Sequence, residues 1–295
     1  MGSERGQGTI EWVGLVLLVS LLMLAAVAIG GRVPGATLAR ALADRLLCAT
    51  SLADGCGDEP ALIAAYGTEV GRLVRRQMPM LAFERGSRAV PVDFRSCRDS
   101  ACGDAAGEGL IHRTDARLPV TAFVHVVDCR DGEAEGSEAA GADCSGERAG
   151  NLYVQYWTYY ADSATLRGVP IVGDRGYHQD DWESVQLRIR PDGRVDQRAS
   201  SHHGYNYFLS DLNWMSDAGI VSHDGWGPAT HLLIVSGGSH AGNAAGMANI
   251  SRFTPGRRVH LVPLERIAAE STAAFAVSPP WQKEVWFDPE AAGTD

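Results

Sequence analysis

Acidic and imidazole side chains gather in the stretch 177–189, which reads YHQDDWESVQLRI. His178, Asp181 and Glu183 are of the residue types that hold divalent cations in proteins. Because side chains alternate between the two faces of a strand, Asp181 and Glu183 share a face with the apolar residues that follow them. Carboxylates on an apolar face need a cation, hydrogen-bond donors or an opening to solvent. The stretch therefore predicts a site at the entry end of a strand, with the apolar face continuing through Val185, Leu187 and Ile189.

The other face of this predicted strand is polar. It carries Ser184, Gln186, Arg188 and Arg190, and we expect it to face water.

Two further stretches bring histidine next to strand ends. SSHHGYNY (200–207) contains His202 and His203, and SGGSHAGN (236–243) contains Ser239 and His240. Loops at one end of a β-sandwich converge, so we expect the three stretches to form one polar mouth. His202 and His203 are adjacent, so at most one of them is expected to face it.

The chain downstream of residue 79 has the two-residue period of strands, with Gly- and Asp-rich loops between them. No long helical pattern alternates with the strands, which indicates a mainly β protein, an antiparallel β-sandwich. Upstream, leucines at helical spacing and the acidic, Pro-bearing start at 58–60 predict a short helical hairpin. The predicted strands are 80–83, 120–127, 152–160, 182–189, 231–235 and 259–262.

The N-terminal segment predicts a membrane anchor. Residues 10–29 are almost uninterrupted apolar sequence, long enough to cross a bilayer as a helix, with Glu11 at the edge. We expect an N-terminal tail and transmembrane helix at 1–33, a helical stalk at 34–78 and an extracytoplasmic β-sandwich, here called the ectodomain, at 79–295.

Six cysteines lie as close neighbours in sequence, in polar surroundings and without CxxC spacing. Disulfides between sequence neighbours are the simplest pairing, although six cysteines allow about 15 connectivities. Disulfides place the ectodomain outside the cytoplasm. The expected pairs are Cys48–Cys56, Cys97–Cys102 and Cys129–Cys144.

The cluster HQDDWE resembles the H-x-G-D-W-E element of Vps62-related proteins and, more distantly, the G-H-R-H-D-W-E heptapeptide of the necrosis-inducing NPP1 (NLP) family. MPMLAFERGSRAVPVDF (78–94), LYVQYWTYYAD (152–162) and SGGSHA resemble further segments of these proteins. The resemblance implies a β-sandwich with a divalent cation held by His178, Asp181 and Glu183, and Trp182 packed behind them. For an additional acidic ligand of that family, Asp174 and Asp162 are the candidates. The cation expected is Mg²⁺ or Ca²⁺, with Mn²⁺ or Zn²⁺ as alternatives.

The segment GQGTIEW (6–12) resembles the processing site of prepilin-type signals, in particular those of Flp and TadE-like pilins. By that resemblance the chain is cut after Gly6, which leaves Gln7 first and Glu11 fifth. The resemblance implies a pilus or secretion apparatus as a partner.

The formal net charge is −10, and the basic residues form no run or stripe. This argues against nucleic acid as a partner. We therefore expect a membrane-anchored binding protein for a polar headgroup or a glycan. The alternatives are a metal-dependent hydrolase in which Glu183 or His240 acts as general base, and a pilus-associated structural subunit.

Overall fold

The computed structural model describes residues 59–85, 89–95, 120–130, 142–164, 177–201, 204–206, 225–244 and 259–291. Within these ranges, no helix is both long enough and apolar enough to cross a membrane. Several predicted features lie outside the described residues: the span 10–29, the processing residues Gly6 and Glu11, the cysteines Cys48, Cys56, Cys97 and Cys102, and the candidate site residues Asp174, His202 and His203.

The described chain is mainly β, as the two-residue period predicts. Helix α1 (Glu59–Gln77) is interrupted at Gly67, whose φ of 77° is accessible to glycine without strain. The strands are β1 (Met80–Phe83), β2 (Thr121–Asp128), β3 (Leu152–Ala164), β4 (Tyr177–Ile189), β5 (Val195–Ser201), β6 (Gly204–Asn206), β7 (Gly227–Pro228), β8 (Leu232–Val235), β9 (Gly242–Asn243) and β10 (His260–Pro263), followed by helices α2 (Glu265–Glu270) and α3 (Glu284–Phe287).

Two sheets contain these strands. The larger has the order β10-β2-β3-β4-β5-β6, with β7 also paired to β5, and the smaller has the order β1-β8-β9. Most pairs are antiparallel, but the sheets are mixed, because β10 runs parallel to β2 and β1 runs parallel to β8. Long connections separate the members of both pairs, so no hairpin forces them to be antiparallel.

The prediction that the polar face of β4 meets water is wrong. Ser184 and Gln186 are each only 1% exposed. The C-terminal segment 280–291 covers this face, and its backbone carbonyls accept hydrogen bonds from the sheet. Gln155 Nε2 donates to the Val285 carbonyl (2.6 Å) and Arg198 Nη2 to the Pro289 carbonyl (2.8 Å). Polar side chains can be buried here because the segment supplies the acceptors that water would otherwise provide.

The opposite face of the large sheet packs against α1 and the small sheet. Tyr156 Oη donates to the Val74 carbonyl of α1 (2.6 Å). At Gly242 of β9, a Cβ atom would lie 3.0 Å from Leu233 Cδ1 and 3.4 Å from the Ala199 Cβ of β5. The absence of a side chain at Gly242 therefore permits the close approach of the two sheets.

One predicted disulfide lies in the described region and is confirmed. Cys129 and Cys144 are bonded, and they close a loop with a sequence separation of 15. The bond ties the end of β2 to the segment that leads into β3.

Candidate functional site

The two site carboxylates lie on β4 opposite aromatic and hydroxyl side chains of β3. The ladder pairs Asp181 with Tyr160 and Glu183 with Thr158. Asp181 is 3% exposed and Glu183 is 4% exposed. Directly opposed residues of an antiparallel pair point to the same face, so these four side chains line one surface, which continues into the buried apolar face of the strand.

The loop between β8 and β9 brings His240 to this surface. Its Nδ1 lies 2.8 Å from Asp181 Oδ2, and its ring stacks on Tyr160 with a centroid distance of 4.0 Å and an interplanar angle of 5°. Because the carboxylate can only accept, Nδ1 carries the proton, and the neutral ring has its lone pair on Nε2. A carboxylate that orients an imidazole in this way is typical of metal-binding histidines.

Two buried polar atoms of this cluster have no hydrogen-bond partner within the described residues. They are Glu183 Oε2 and His240 Nε2. Buried polar atoms are normally paired, so unpaired ones call for an explanation such as an ion or a water molecule. A carboxylate oxygen and a neutral imidazole nitrogen are both electron-pair donors, which suits a cation.

His178 lies at the solvent-facing side of the cluster, with its side chain 29% exposed. Its Nε2 is 3.9 Å from Asp181 Oδ1, which is beyond hydrogen-bonding distance. Asp162, one of the two acidic candidates, is buried at a position paired with Gln179, on the same face as Asp181. The structure thus brings His178, Asp181 and Glu183 together with His240, and places Asp162 farther along the same face.

Burial controls the electrostatics of the site. It raises the pKa of Glu183 well above the ordinary value of 4.5, and the charge of Asp181 raises it further. A hydrogen bond from the Gly242 backbone and the charge of Lys283 oppose this shift without cancelling it. Burial also raises the pKa of Tyr160, and the charges of Glu183 and Asp181 add to that effect. Without a cation, Glu183 therefore holds its proton more tightly than an exposed carboxyl does, and its negative charge next to Asp181 is disfavoured.

Behind the carboxylates, on the other face of β4, Trp182 packs into an aromatic cluster. Its ring lies 5.1 Å from Tyr159, 5.6 Å from Phe94 and 5.8 Å from Phe275, measured between centroids. These tilted and edge-on contacts are favourable aromatic geometries. They fix the backbone of β4 at the site.

Ser239 is not arranged as a nucleophile. Its Oγ accepts a hydrogen bond from the Ala241 backbone (3.4 Å), and the chain enters β9 at Gly242. A nucleophile elbow leads from a strand into a helix, which this segment does not do.

Tyr160, Gly242 and Lys283 contribute to the site, although no role was predicted for any of them. Tyr160 and Gly242 lie within the stretches 152–162 and 236–243, whereas Lys283 lies in no motif. Strand alternation would have indicated Tyr160 if the register of β3 on β4 had been known. Lys283 approaches from the C-terminal segment, about a hundred positions along the chain from Glu183, and no local pattern predicts that contact.

In the part of the chain that the structure describes, no group of three or more His, Cys, Asp or Glu side chains is already arranged to hold a metal ion. The cluster presents a hydrogen-bonded Asp181–His240 pair beside Glu183.

Comparison with known proteins gives structural neighbours only. No protein-family model matches the chain, and no curated protein matches it. Among solved structures, the chain is similar to one described as "Toxin fold for microbial attack and plant defense", at 18% identity and a TM-score of 0.38. It is also similar to NLPPya in complex with mannosamine, at 15% identity and a TM-score of 0.37, and to NLPPya in complex with glucosamine, at 19% identity and a TM-score of 0.36. In each case the match covers 72% of this chain and 84% of the other.

Proposed function

We propose that the ectodomain binds a divalent cation at Glu183 and His240, with Asp181 orienting the imidazole, and that it uses this cation to hold a polar headgroup or a glycan outside the cell membrane. The observation that carries the proposal is the pair of buried atoms, Glu183 Oε2 and His240 Nε2, that have no hydrogen-bond partner within the described residues. Both atoms can donate an electron pair to a cation.

The chain's own residues fit a hard cation with mixed ligands. Glu183 Oε2 and His240 Nε2 would hold the cation. Asp181, whose Oδ2 accepts from His240 Nδ1, would orient the imidazole, and His178 would approach from the solvent side. Carboxylate oxygens with few imidazoles suit Mg²⁺ or Ca²⁺, with Mn²⁺ and Zn²⁺ as alternatives. A bound cation would supply the positive charge that the burial of Glu183 and Asp181 requires.

The ligand class follows from the opening of the site. His178 is the partly exposed member of the cluster, so an incoming group would approach beside it. Hydroxyl and phosphate oxygens can complete the coordination of a hard cation, and sugars and lipid headgroups present both. This supports a glycan or a polar headgroup as the ligand.

The location outside the cytoplasm is part of the same proposal. It is supported by the Cys129–Cys144 disulfide, because such bonds persist in oxidising compartments. The apolar run 10–29 would anchor the ectodomain to the membrane.

Calorimetric titration of the full chain, solubilised in detergent, tests the proposal. We expect glucosamine, which is present in one of the similar structures, or phosphoethanolamine to bind with Ca²⁺ present and not after chelation. Asp192→Asn, at an exposed turn far from the site, should behave as wild type. Binding of either ligand that is unchanged by chelation would contradict a cation-mediated site.

A metal-dependent hydrolase is the second candidate, and the Asp181–His240 hydrogen bond favours it. An imidazole held by a carboxylate is the usual arrangement of a general base, and Glu183 lies beside it. We expect hydrolysis of nitrophenyl glycosides or phosphodiesters, dependent on Mg²⁺ and lost in His240→Gln. No turnover with any of these substrates would exclude this candidate in favour of binding alone.

A pilus-associated subunit is the third candidate, and it depends on the segment GQGTIEW. If it is correct, the chain should co-purify with pilus or secretion components from its native host. Purification without any such component would remove it.

A further inference from the structure

The backbone of Asp180 has an unusual conformation. Its φ is 54°, in the left-handed region that residues other than glycine rarely adopt. The β3–β4 ladder pairs Tyr160 with Asp181 and Asp162 with Gln179, but in this described stretch it skips the pair between them. The peptide of Asp180 is therefore turned out of the regular ladder, next to the candidate cation site.

The side chain of Asp180 is held at both oxygens. Tyr159 Oη donates to Oδ1 (2.6 Å) and the Ala276 backbone N–H donates to Oδ2 (2.7 Å), while the residue is only 6% exposed. The donors come from β3 and from the segment after α2. These bonds compensate for the burial of the carboxylate and hold the residue in its strained conformation.

The carbonyl of Asp180 is available to His178 because of this turn. His178 Nδ1 lies 2.9 Å from the Asp180 carbonyl and 3.3 Å from the Gln179 carbonyl. Carbonyl oxygens only accept, so Nδ1 carries the proton, and in the neutral ring the lone pair is on Nε2. Nε2 is the nitrogen on the side of Asp181, 3.9 Å from its Oδ1.

We propose that Asp180 is a positioning residue for this site. Its anchored carboxylate holds the left-handed turn, and its carbonyl fixes His178 in the Nδ1–H tautomer, with Nε2 turned toward Asp181. This inference rests on the proposed function, because the positioning of His178 serves a purpose only if a cation binds beside it. Asp180 itself does not contact the cation, because both of its carboxylate oxygens point to the opposite face of β4.

The tautomer of His178 can be measured without any cation. In the metal-free full chain with ¹⁵N-labelled histidine, in detergent and mildly alkaline buffer, we expect ring nitrogen shifts of the Nδ1–H form. Comparison with His178→Gln assigns the signal among the nine histidines. If wild-type His178 is in the Nε2–H form, the proposal is overturned by the wild-type spectrum alone, before any Asp180 variant is measured.

Two variants test the role of the side chain. Asp180→Gly adopts a positive φ without strain but removes both anchors, and Asp180→Asn keeps the size but places an amide against one donor. In both we expect His178 to shift toward the Nε2–H form and Ca²⁺ affinity to fall about tenfold to a hundredfold. Asp192→Asn is the matched control, with neither effect. If Asp180→Gly does not fold, Asp180→Asn alone tests the role of the Asp180 side chain.

The outcomes separate this inference from the proposed function. An unchanged His178 tautomer in a folded Asp180 variant overturns the role of Asp180, even where the wild-type chain binds Ca²⁺. A wild-type chain that binds no divalent cation contradicts the proposed function, whereas the tautomer experiment still decides whether Asp180 positions His178.

Discussion

Glu183 makes the stability of the metal-free protein depend on pH. Burial and the charge of Asp181 raise its pKa, so the folded state binds the proton more tightly than the unfolded state does. The stabilisation is fully present below the unfolded pKa and is lost as pH rises from about 4.5 toward the folded pKa, at up to about 1.4 kcal/mol per pH unit. In chelator, we expect the free energy of unfolding to fall over this window.

Glu183→Gln isolates this contribution, because the amide remains neutral at every pH. Subtracting its pH profile, measured by thermal melting of the full chain, from that of wild type should leave a curve that falls as pH rises. A flat difference curve would show that Glu183 is solvated.

His240 is expected to stabilise the fold through Asp181. Removing the imidazole leaves a buried carboxylate without its hydrogen-bond donor, which costs about 1–3 kcal/mol and more when the group is charged. His231 is a matched control because it also has a positive φ (53°) but is exposed. In urea unfolding, His240→Ala should be destabilised by about 3 kcal/mol and His231→Ala by less than about 0.5 kcal/mol. Equal losses in the two variants would contradict the burial of the Asp181–His240 pair.

At the scale of elements, the C-terminal segment closes the polar face of the large sheet. Glu290 Oε1 accepts from Tyr153 Oη (2.6 Å) and Arg188 Nη1 (2.9 Å), and its Oε2 accepts from Trp226 Nε1 (2.6 Å). Glu290→Ala leaves a largely buried guanidinium without this partner, so we expect a loss of about 3 kcal/mol in urea unfolding. Glu284→Ala, at an exposed position of the same segment, should lose little. A small loss for Glu290→Ala would mean that the segment is not a structural part of the sheet.

Local pattern predicted most of the strands, because alternation and turn residues are properties of short stretches. The bounds of β1 agree with the prediction, and β2, β8 and β10 differ from it by about one residue at their ends. Strands β3 and β4 are longer than predicted, and β5 was not predicted. The short strands β6, β7 and β9 have too few residues for a period to appear. The parallel pairings, and the burial of Gln186 under the C-terminal segment 280–291, depend on contacts between distant segments. The period of a strand does not encode such contacts.

The same limit applies to the site. The shared face of Asp181 and Glu183 follows from alternation alone. The hydrogen bond from His240 to Asp181 joins residues 59 positions apart, and it required the packing of the two sheets. The positive φ of Asp180 and its anchoring by Tyr159 and Ala276 could not be predicted from sequence either.

At the scale of the whole molecule, the proposed location outside the cytoplasm predicts that the cysteines of the ectodomain are oxidised. In protein freshly isolated from its native host, alkylation mass spectrometry should find Cys129 and Cys144 protected until a reductant is added. Free, alkylated thiols at both positions would contradict an extracytoplasmic location.

Processing is tested by sequencing the N-terminus in cells that contain a prepilin peptidase. Because Glu11 would be the fifth residue after a cut at Gly6, we expect Gln7 to be first. An intact N-terminus in those cells would remove the pilin-type interpretation, while the anchoring role of 10–29 would stand.

The most direct test of the cation site is the melting temperature of the full chain with Mg²⁺ or Ca²⁺ and with chelator. A bound cation should stabilise the fold by RT ln(1 + [L]/Kd), about 2.7 kcal/mol at a hundredfold excess over Kd. We expect cation to raise the melting temperature and chelator to lower it, and Asp181→Asn and Glu183→Gln to reduce that difference, with Asp192→Asn as the unchanged control. An identical melting temperature with cation and with chelator in wild type would contradict the account.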